Sequence, residues 1–237
     1  MSSTALPNPS RSADNLHTFI ICLPNTIAPP LLPALAHARL TTGGYTPRGP
    51  VPYFATSTRR TRRLIDRWRG HTSGGPIELL DLDRMRGLAA TAATHTWHRW
   101  AYVVSGTPAA KPFWHFVDRH RADEGRYPLT RAQQDYLSQP RITAIRAFNA
   151  LPQGGGIPTD QLEALQAGLT TYVTIAQLSA VVADGMATAE GDFFTPVSSR
   201  LDHQLTFLHH ANHHLAGLPR DAPVAAIAVA CHPQPIP

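Results

Sequence analysis

The chain has 237 residues, and its 43% hydrophobic content is enough to bury the core of one large domain or two small ones. No run approaches the roughly 18 apolar residues of a membrane helix, so we expect no membrane partner. Of the 21 basic residues behind the net charge of +5, only Lys111 is a lysine. The charge allows nucleic-acid binding, although an arginine bias of this kind is also typical of GC-rich coding sequences.

The N-terminal segment lacks the pattern of a secretion signal. Residues 1–16 combine proline, polar residues and acids where a signal peptide has a long apolar run. We therefore expect a disordered leader and a cytoplasmic protein. The two cysteines, Cys22 and Cys231, lie in apolar runs of strand length and are predicted to be buried thiols.

The first part of the chain alternates strand and helix patterns. Apolar runs at 17–24, 51–56 and 77–82 predict buried strands, and the intervening segments 30–41 and 59–70 predict helices. Such Rossmann-like alternation indicates an α/β fold with a mostly parallel central sheet of about four strands, joined by right-handed crossovers.

The middle of the chain, residues 84–182, is mostly helical in pattern. The glycine-rich stretch LPQGGGIP at 151–158 interrupts it, and a single long helix is predicted over 159–182. A small hairpin is predicted next, around Glu190 and Gly191.

The run at 224–231 is apolar on both faces, which is typical of a strand in the middle of a sheet. Such a strand needs partners, so we expect it to return to the N-terminal strands. The chain would then form one α/β domain over 17–237 with a helical elaboration at 84–182. A two-domain chain divided at the glycines is the alternative.

A binding site is predicted at the carboxyl ends of the parallel strands, where ligands bind in open α/β sheets. Hydroxyl groups and arginines at the start of the helix after the second strand suit a phosphorylated ligand, most simply a nucleotide. Two aspartates after the third strand could hold Mg²⁺ or Mn²⁺ beside it. The predicted ligand-binding residues are Thr56, Ser57, Thr58, Arg59, Arg60, Asp81 and Asp83.

The same arginine-rich segment supports a second hypothesis, a basic protein that binds nucleic acid through an exposed helix at 59–69. Leu64, Ile65 and Trp68 would anchor one face of that helix. The other face would present Arg59, Arg62, Arg63 and Arg67 to phosphates.

Five histidines fall within the helix predicted at 201–218. The i, i+4 pair His210 and His214 could share a metal, with His203 on the same stripe and His115 or His120 as a third ligand. A metal-dependent hydrolase is therefore a third hypothesis. Because leucines already supply a buried face, we expect these histidines to form an ordinary outer surface without a metal.

One further stretch, KPFWHFVDRH at 111–120, is both aromatic and basic. His115 and Asp118 are three residues apart and could form an acid/base pair. Aromatic residues at this density more often pack helices together, and this is the interpretation we favour. Whether the protein is an enzyme stays open at this stage.

Overall fold

The structure is a computed structural model that describes residues 16–57, 61–152 and 156–230. The predicted leader lies almost wholly outside these residues, as does Cys231. The chain divides into two compact units. The α/β unit comprises Met1–Met85, Ser179–Pro196 and Phe207–Pro237, and the helical unit comprises Arg86–Leu178 and Val197–Thr206. This division does not decide between one domain with an elaboration and two domains, so the single domain stays a prediction.

The α/β unit contains all the strands of the described residues. In chain order they are β1 (Leu16–Cys22), β2 (Thr46–Pro50), β3 (Phe54–Ala55), β4 (His71–Thr72), β5 (Gly74–Pro76), β6 (Gly185–Ala187), β7 (Phe193–Phe194) and β8 (Pro223–Ala230). Helix α1 (Leu32–Thr42) belongs to this unit. Three further helices contribute residues to both units: α2 (Leu82–Val103), α7 (Leu169–Val182) and α8 (Leu201–Gly217).

The main sheet is mixed. Its strands follow the order β2-β8-β1-β6-β7, and β5 also pairs with β8. Within the described part of the chain only β1 and β6 run parallel, while the other pairings are antiparallel. The prediction of a mostly parallel, Rossmann-like sheet is therefore wrong, although the fold is α/β. The predicted hairpin around Glu190 and Gly191 is confirmed as the β6–β7 pair.

Strand β8 lies inside the main sheet, as its two-sided apolar pattern predicts. It pairs with all seven residues of β1, from Leu16 opposite Ala230 to Cys22 opposite Val224. Its other edge is shared by β2 and β5. Six of its eight residues are buried, which explains why polar side chains are absent from it.

One face of this sheet packs on α1. Leu32, Ala36 and Leu40 recur every four residues along α1, so they share one side of the helix and are all buried. They meet Phe19 and Ile21 of β1 in a common core cluster. Arg39, also on α1, donates through Nη1 to the backbone oxygens of Cys22 (3.1 Å) and Thr188 (2.8 Å). It thereby links the ends of the one parallel strand pair.

The prediction of a helix over 59–70 is wrong. The described residues of this range begin with a single 3-10 turn, Thr61–Arg63. A hairpin of residues 65–74, here called the Trp68 hairpin, follows it. Trp68 and His71 exchange both backbone hydrogen bonds around Arg69 and Gly70, whose φ angles are 43° and 85°. Two central residues with positive φ are the mark of a tight type I′ turn. Gly70 therefore closes a hairpin instead of ending a helix.

The strands predicted at 51–56 and 77–82 are also wrong in their extent and partners. Pro52 has no N–H to donate and interrupts the first range, so the strand β3 is only Phe54–Ala55, which pairs antiparallel with β4 in a separate two-stranded sheet. Ile77–Leu79 forms a 3-10 turn. Leu79 and the following Leu80 are buried, which accounts for the apolar run in the sequence.

The helical unit is built from α3 (Phe113–Ala122), α4 (Leu129–Leu137), α5 (Pro140–Asn149) and α6 (Leu162–Gln166), together with residues of α2, α7 and α8. Trp100, Ile142, Ile145 and Leu165 lie in its core. The long helix predicted over 159–182 is divided into α6 and α7, because Gly168 takes a φ of 105° that ends the first segment. No helix in the described ranges is long and apolar enough to cross a membrane.

Candidate functional site

The residues of the predicted phosphate site lie in or next to the small sheet of the α/β unit. Thr56 is buried, and its Oγ1 donates to the backbone oxygen of Leu79 at 2.9 Å. Ser57 is exposed. The remaining members of this set, Thr58, Arg59 and Arg60, lie outside the described residues.

The two aspartates of this prediction have different positions. The backbone N–H of Asp81 donates to Ala55, which brings Asp81 close to Thr56. Its Oδ1 accepts from the N–H of Arg84 at 3.3 Å, so Asp81 caps α2. Asp83 is exposed in the first turn of that helix. The premise of this site, a parallel strand end, is wrong because β3 is antiparallel to β4; ligand binding there stays a prediction.

The histidines of α8 have different surroundings. Nδ1 of His203 lies 2.7 Å from Oγ of Ser198. The rings of His210 and His214 both pack against Phe194, with centroids 5.8 Å and 6.0 Å away. Across residues 16–57, 61–152 and 156–230, no three His, Cys, Asp or Glu side chains are grouped so that they could hold a metal ion.

A cleft of about 330 Å³ opens in the helical unit. Its volume is at the small end of the range for ligand pockets, roughly 300–1,000 Å³. Three aromatic side chains, three carboxylates, two guanidinium groups and two serines line it, and they are Phe113, Trp114, Tyr136, Asp118, Asp160, Glu163, Arg121, Arg200, Ser198 and Ser199. None of the residues of the predicted phosphate site is among them.

Helix α3 supplies one wall of the cleft. Pro112 precedes its first residue and has no N–H to leave unsatisfied, which suits it to a helix start. Trp114 and Asp118 are four residues apart on α3, so both project from one face of the helix into the cleft. The alternative of an acid/base pair of His115 and Asp118, which the sequence left second to helix packing, has no contact to support it: the described partners of the Asp118 carboxylate are Arg200 and Arg121.

Glu163 of α6 connects three elements. Its Oε2 accepts a hydrogen bond from the indole Nε1 of Trp114 at 2.7 Å and another from the N–H of Leu201 at 3.3 Å. Both donors are uncharged. Among the described residues Glu163 has no ion-pair partner.

Arg200, just before α8, is held by a carboxylate and an aromatic ring. Its Nη2 lies 2.5 Å from Oδ2 of Asp118, and its guanidinium carbon lies 4.5 Å from the centroid of Trp114. Arg121 approaches the other oxygen of Asp118 at 3.7 Å. This part of the cleft therefore already holds a flat cation between an aromatic face and an anion.

Ser198 organises the start of α8. Its Oγ accepts from the N–H of Arg200 at 3.2 Å and contacts Nδ1 of His203. The bond to Arg200 joins residues i and i+2 before the helix, whereas the first helical N–H, that of Leu201, donates to Glu163. Ser198 and Arg200 both line the cleft.

Tyr136 is one of the three aromatic residues that line the cleft. Burial and the nearby charge of Asp160 raise the pKa of its phenol, while a hydrogen bond to the backbone oxygen of Thr159 acts in the opposite direction. The hydroxyl therefore keeps its proton at neutral pH and donates it to Thr159 at 3.2 Å. Its ring meets that of Phe113 edge to face, with centroids 5.3 Å apart.

Sequence reasoning singled out Trp114 and Asp118 but missed Glu163 and Arg200. Nothing within either local segment distinguishes these two residues from ordinary surface charges, since their roles depend on contacts with α3. Comparison with protein-family models, curated proteins and solved structures found no match to this chain.

Proposed function

We propose that the cleft of the helical unit binds a small organic cation with a flat apolar body, such as an aryl-alkyl amine. The observation that carries the proposal is the Glu163 carboxylate, which is oriented by two uncharged donors and has no cationic partner among the described residues. A fixed carboxylate in a cleft wall is the group that an ammonium or guanidinium pairs with best.

The charge of the cleft favours the same ligand class. The lining has three carboxylates against two guanidinium groups, which leaves a net negative charge in a protein whose overall charge is positive. Arg200 and Arg121 both pair with Asp118, so they offset that carboxylate rather than Glu163. An anionic ligand would have to displace these contacts before it could use either arginine.

The aromatic lining supplies the apolar part of the recognition. Phe113 and Tyr136 are in mutual contact, and Trp114 already carries the guanidinium of Arg200 on its ring. A ligand that combines a ring with a positive charge would stack on this surface and place its charge near Glu163. The volume of 330 Å³ suits a molecule of about ten non-hydrogen atoms.

Three compounds that share one body and differ in charge test the proposal: phenethylamine, 2-phenylethanol and phenylacetate. In a thermal-shift assay at about 10 mM ligand, we expect stabilisation by the amine alone, with the size of the shift set by its Kd. Equal shifts with all three compounds would indicate apolar binding only, and a shift limited to phenylacetate would contradict the proposal.

The variant Glu163→Gln tests the residue. Glutamine keeps an oxygen that can accept from Trp114 and Leu201, so the local structure is retained while the charge is lost. We expect amine affinity to fall about tenfold, the equivalent of about 1.4 kcal/mol. Glu124→Gln is the matched control, because Glu124 is exposed and does not line the cleft. Equal affinities of the two variants would argue against the role of Glu163.

The earlier hypotheses stay predictions. A nucleotide panel in the same assay, with and without Mg²⁺, tests the phosphorylated ligand near Thr56, Ser57, Asp81 and Asp83. Metal analysis of untagged protein tests the hydrolase hypothesis at His203, His210 and His214.

A further inference from the structure

The Trp68 hairpin presents a rigid tip. Hydrogen bonds of 2.7 and 2.8 Å join Trp68 and His71 on either side of the Arg69–Gly70 turn. At its base, Ile65 donates to Gly74 and accepts from Ser73, both at 2.9 Å. The strand that leaves the turn is β4, which pairs with β3. Side chains at the tip are therefore held on a hydrogen-bonded backbone, so little backbone freedom is lost when the tip binds a partner.

Trp68 is exposed at this tip. Its exposed fraction is 56%, and it is the only large apolar side chain exposed among the described residues 61–74. The guanidinium carbon of Arg69 lies 5.2 Å from the centroid of its ring. A tryptophan in solvent, with a cation beside it, offers a flat surface on which another ring can stack.

The segment that carries Trp68 is rich in arginine. Arg62, Arg67 and Arg69 are exposed and have no ion-pair partner among the described residues. Arg63 pairs with Glu78 at 3.2 Å. Asp66 is the one acidic residue among residues 61–74. Residues 61–74 therefore carry a net positive charge on groups that are able to donate bidentately to phosphate.

We infer that the Trp68 hairpin binds single-stranded nucleic acid, with a base stacked on Trp68 and the arginines on neighbouring phosphates. A duplex keeps its bases stacked on one another, so an exposed ring at a narrow tip fits unpaired bases better. An anionic membrane would need a larger apolar surface than one indole provides. The inference does not depend on the function proposed for the cleft, because the hairpin residues do not line it.

Fluorescence anisotropy with labelled oligomers of about 20 nucleotides, long enough to cover one site, tests the inference. Oligothymidylate and oligouridylate are compared with a duplex of the same length and with phosphatidylglycerol vesicles. For three phosphates contacted on a single strand, log K should fall with log salt concentration with a slope of about −2. Preference for the DNA or the RNA oligomer identifies the natural class of strand.

Two variants locate the binding. Trp68→Ala should weaken oligomer affinity about tenfold through lost stacking, and Trp68→Phe should restore part of it. Arg69→Asn should lower affinity and reduce the salt slope by about 0.7. Asparagine before glycine is the favoured pair for a type I′ turn, so this variant loses a charge without weakening the hairpin. Arg146→Gln, at an exposed position of α5, is the control for charge alone.

The results of these binding measurements either support or overturn the inference. Weaker binding by Trp68→Ala and Arg69→Asn, with Arg146→Gln unchanged, supports the inference. It is overturned if no oligomer binds at about 50 mM salt, where electrostatic binding is strong. It is also overturned if all variants bind alike, if the duplex is preferred and Trp68→Ala is silent, or if only vesicles bind.

Discussion

Arg39 and Thr188 are joined by a hydrogen bond of 2.8 Å from a guanidinium nitrogen to a backbone oxygen. The same nitrogen reaches Cys22, so one side chain of α1 links the ends of β1 and β6. Replacing Arg39 with methionine removes both bonds but keeps the apolar stem. We expect the free energy of unfolding in urea to fall by about 2 kcal/mol. Arg146→Met, at an exposed position, should change it by no more than about 0.5 kcal/mol.

Substitution of glycine by alanine should have opposite effects on stability at Gly74 and Gly87. A Cβ on Gly74 would lie 2.0 Å from the backbone oxygen of Val224, within the β5–β8 pair. Gly74→Ala should therefore separate these strands and destabilise the protein by about 3 kcal/mol or more. A Cβ on Gly87 of α2 meets nothing within 4 Å, so Gly87→Ala should stabilise by about 0.5–1 kcal/mol. Equal effects in chemical denaturation would contradict this contrast.

Stability should decline steeply in alkali. Burial, followed by the charge of Glu190, raises the pKa of the Cys22 thiol from 9.0 to about 12, against a smaller opposite effect of Arg39. Burial, followed by the charge of Asp160, raises the pKa of Tyr172 from 10.0 to about 12. In the unfolded chain the thiol loses its proton above about pH 9 and the phenol above about pH 10, while the folded chain keeps both protons up to about pH 12.

Each group should therefore lower the free energy of unfolding by about 1.4 kcal/mol per pH unit, from about pH 9 to 12 for the Cys22 thiol and from about pH 10 to 12 for the Tyr172 phenol. Denaturation curves at successive pH values measure this slope. Cys22→Ala should make it shallower, starting at the lower end of the window. An unchanged slope would mean that the thiol is not protected in the folded state.

Asn149, the last residue of α5, makes two side-chain hydrogen bonds to the backbone of Ile157, one as donor and one as acceptor. Its Nδ2 donates to the oxygen of Ile157 and its Oδ1 accepts from the N–H of Ile157, both at 2.8 Å. Asn149→Asp keeps the shape but places a carboxylate oxygen against the Ile157 oxygen, and should cost about 2 kcal/mol at neutral pH. Relative to wild type, part of this cost should be recovered below about pH 4, where the carboxyl group can donate. A pH-independent difference would contradict this explanation.

Local sequence patterns predicted the elements that local physics determines. The apolar runs of β1 and β8 and the Glu190–Gly191 hairpin lie close to where the sequence predicts them. The direction in which strands pair is not local, and it was predicted incorrectly. The Arg69–Gly70 pair shows the ambiguity clearly, because a glycine after a basic run suits both a helix end and a type I′ turn.

The candidate site was predictable only in part. Trp114 and Asp118 share a segment whose aromatic density indicates helix packing or a site. Glu163 and Arg200 reach the same cleft from other elements, and each is recognisable only by the α3 residue it contacts. Conversely, the sequence predicts that the Thr56 hydroxyl binds a ligand. In the fold Thr56 is buried, and this hydroxyl donates to the backbone oxygen of Leu79.

The place of β8 in the sheet has a consequence for synthesis. Leu16 pairs with Ala230, so β1 finds its longest partner only after residue 230 has left the ribosome. At about 5–20 residues per second, β1 waits roughly ten to forty seconds with its apolar edge unpaired. During that interval the nascent chain depends on transient protection of this edge, by collapse onto its own helices or by a chaperone. A ribosome stalled before residue 223 would therefore display an aggregation-prone strand, whereas the local helices can already form.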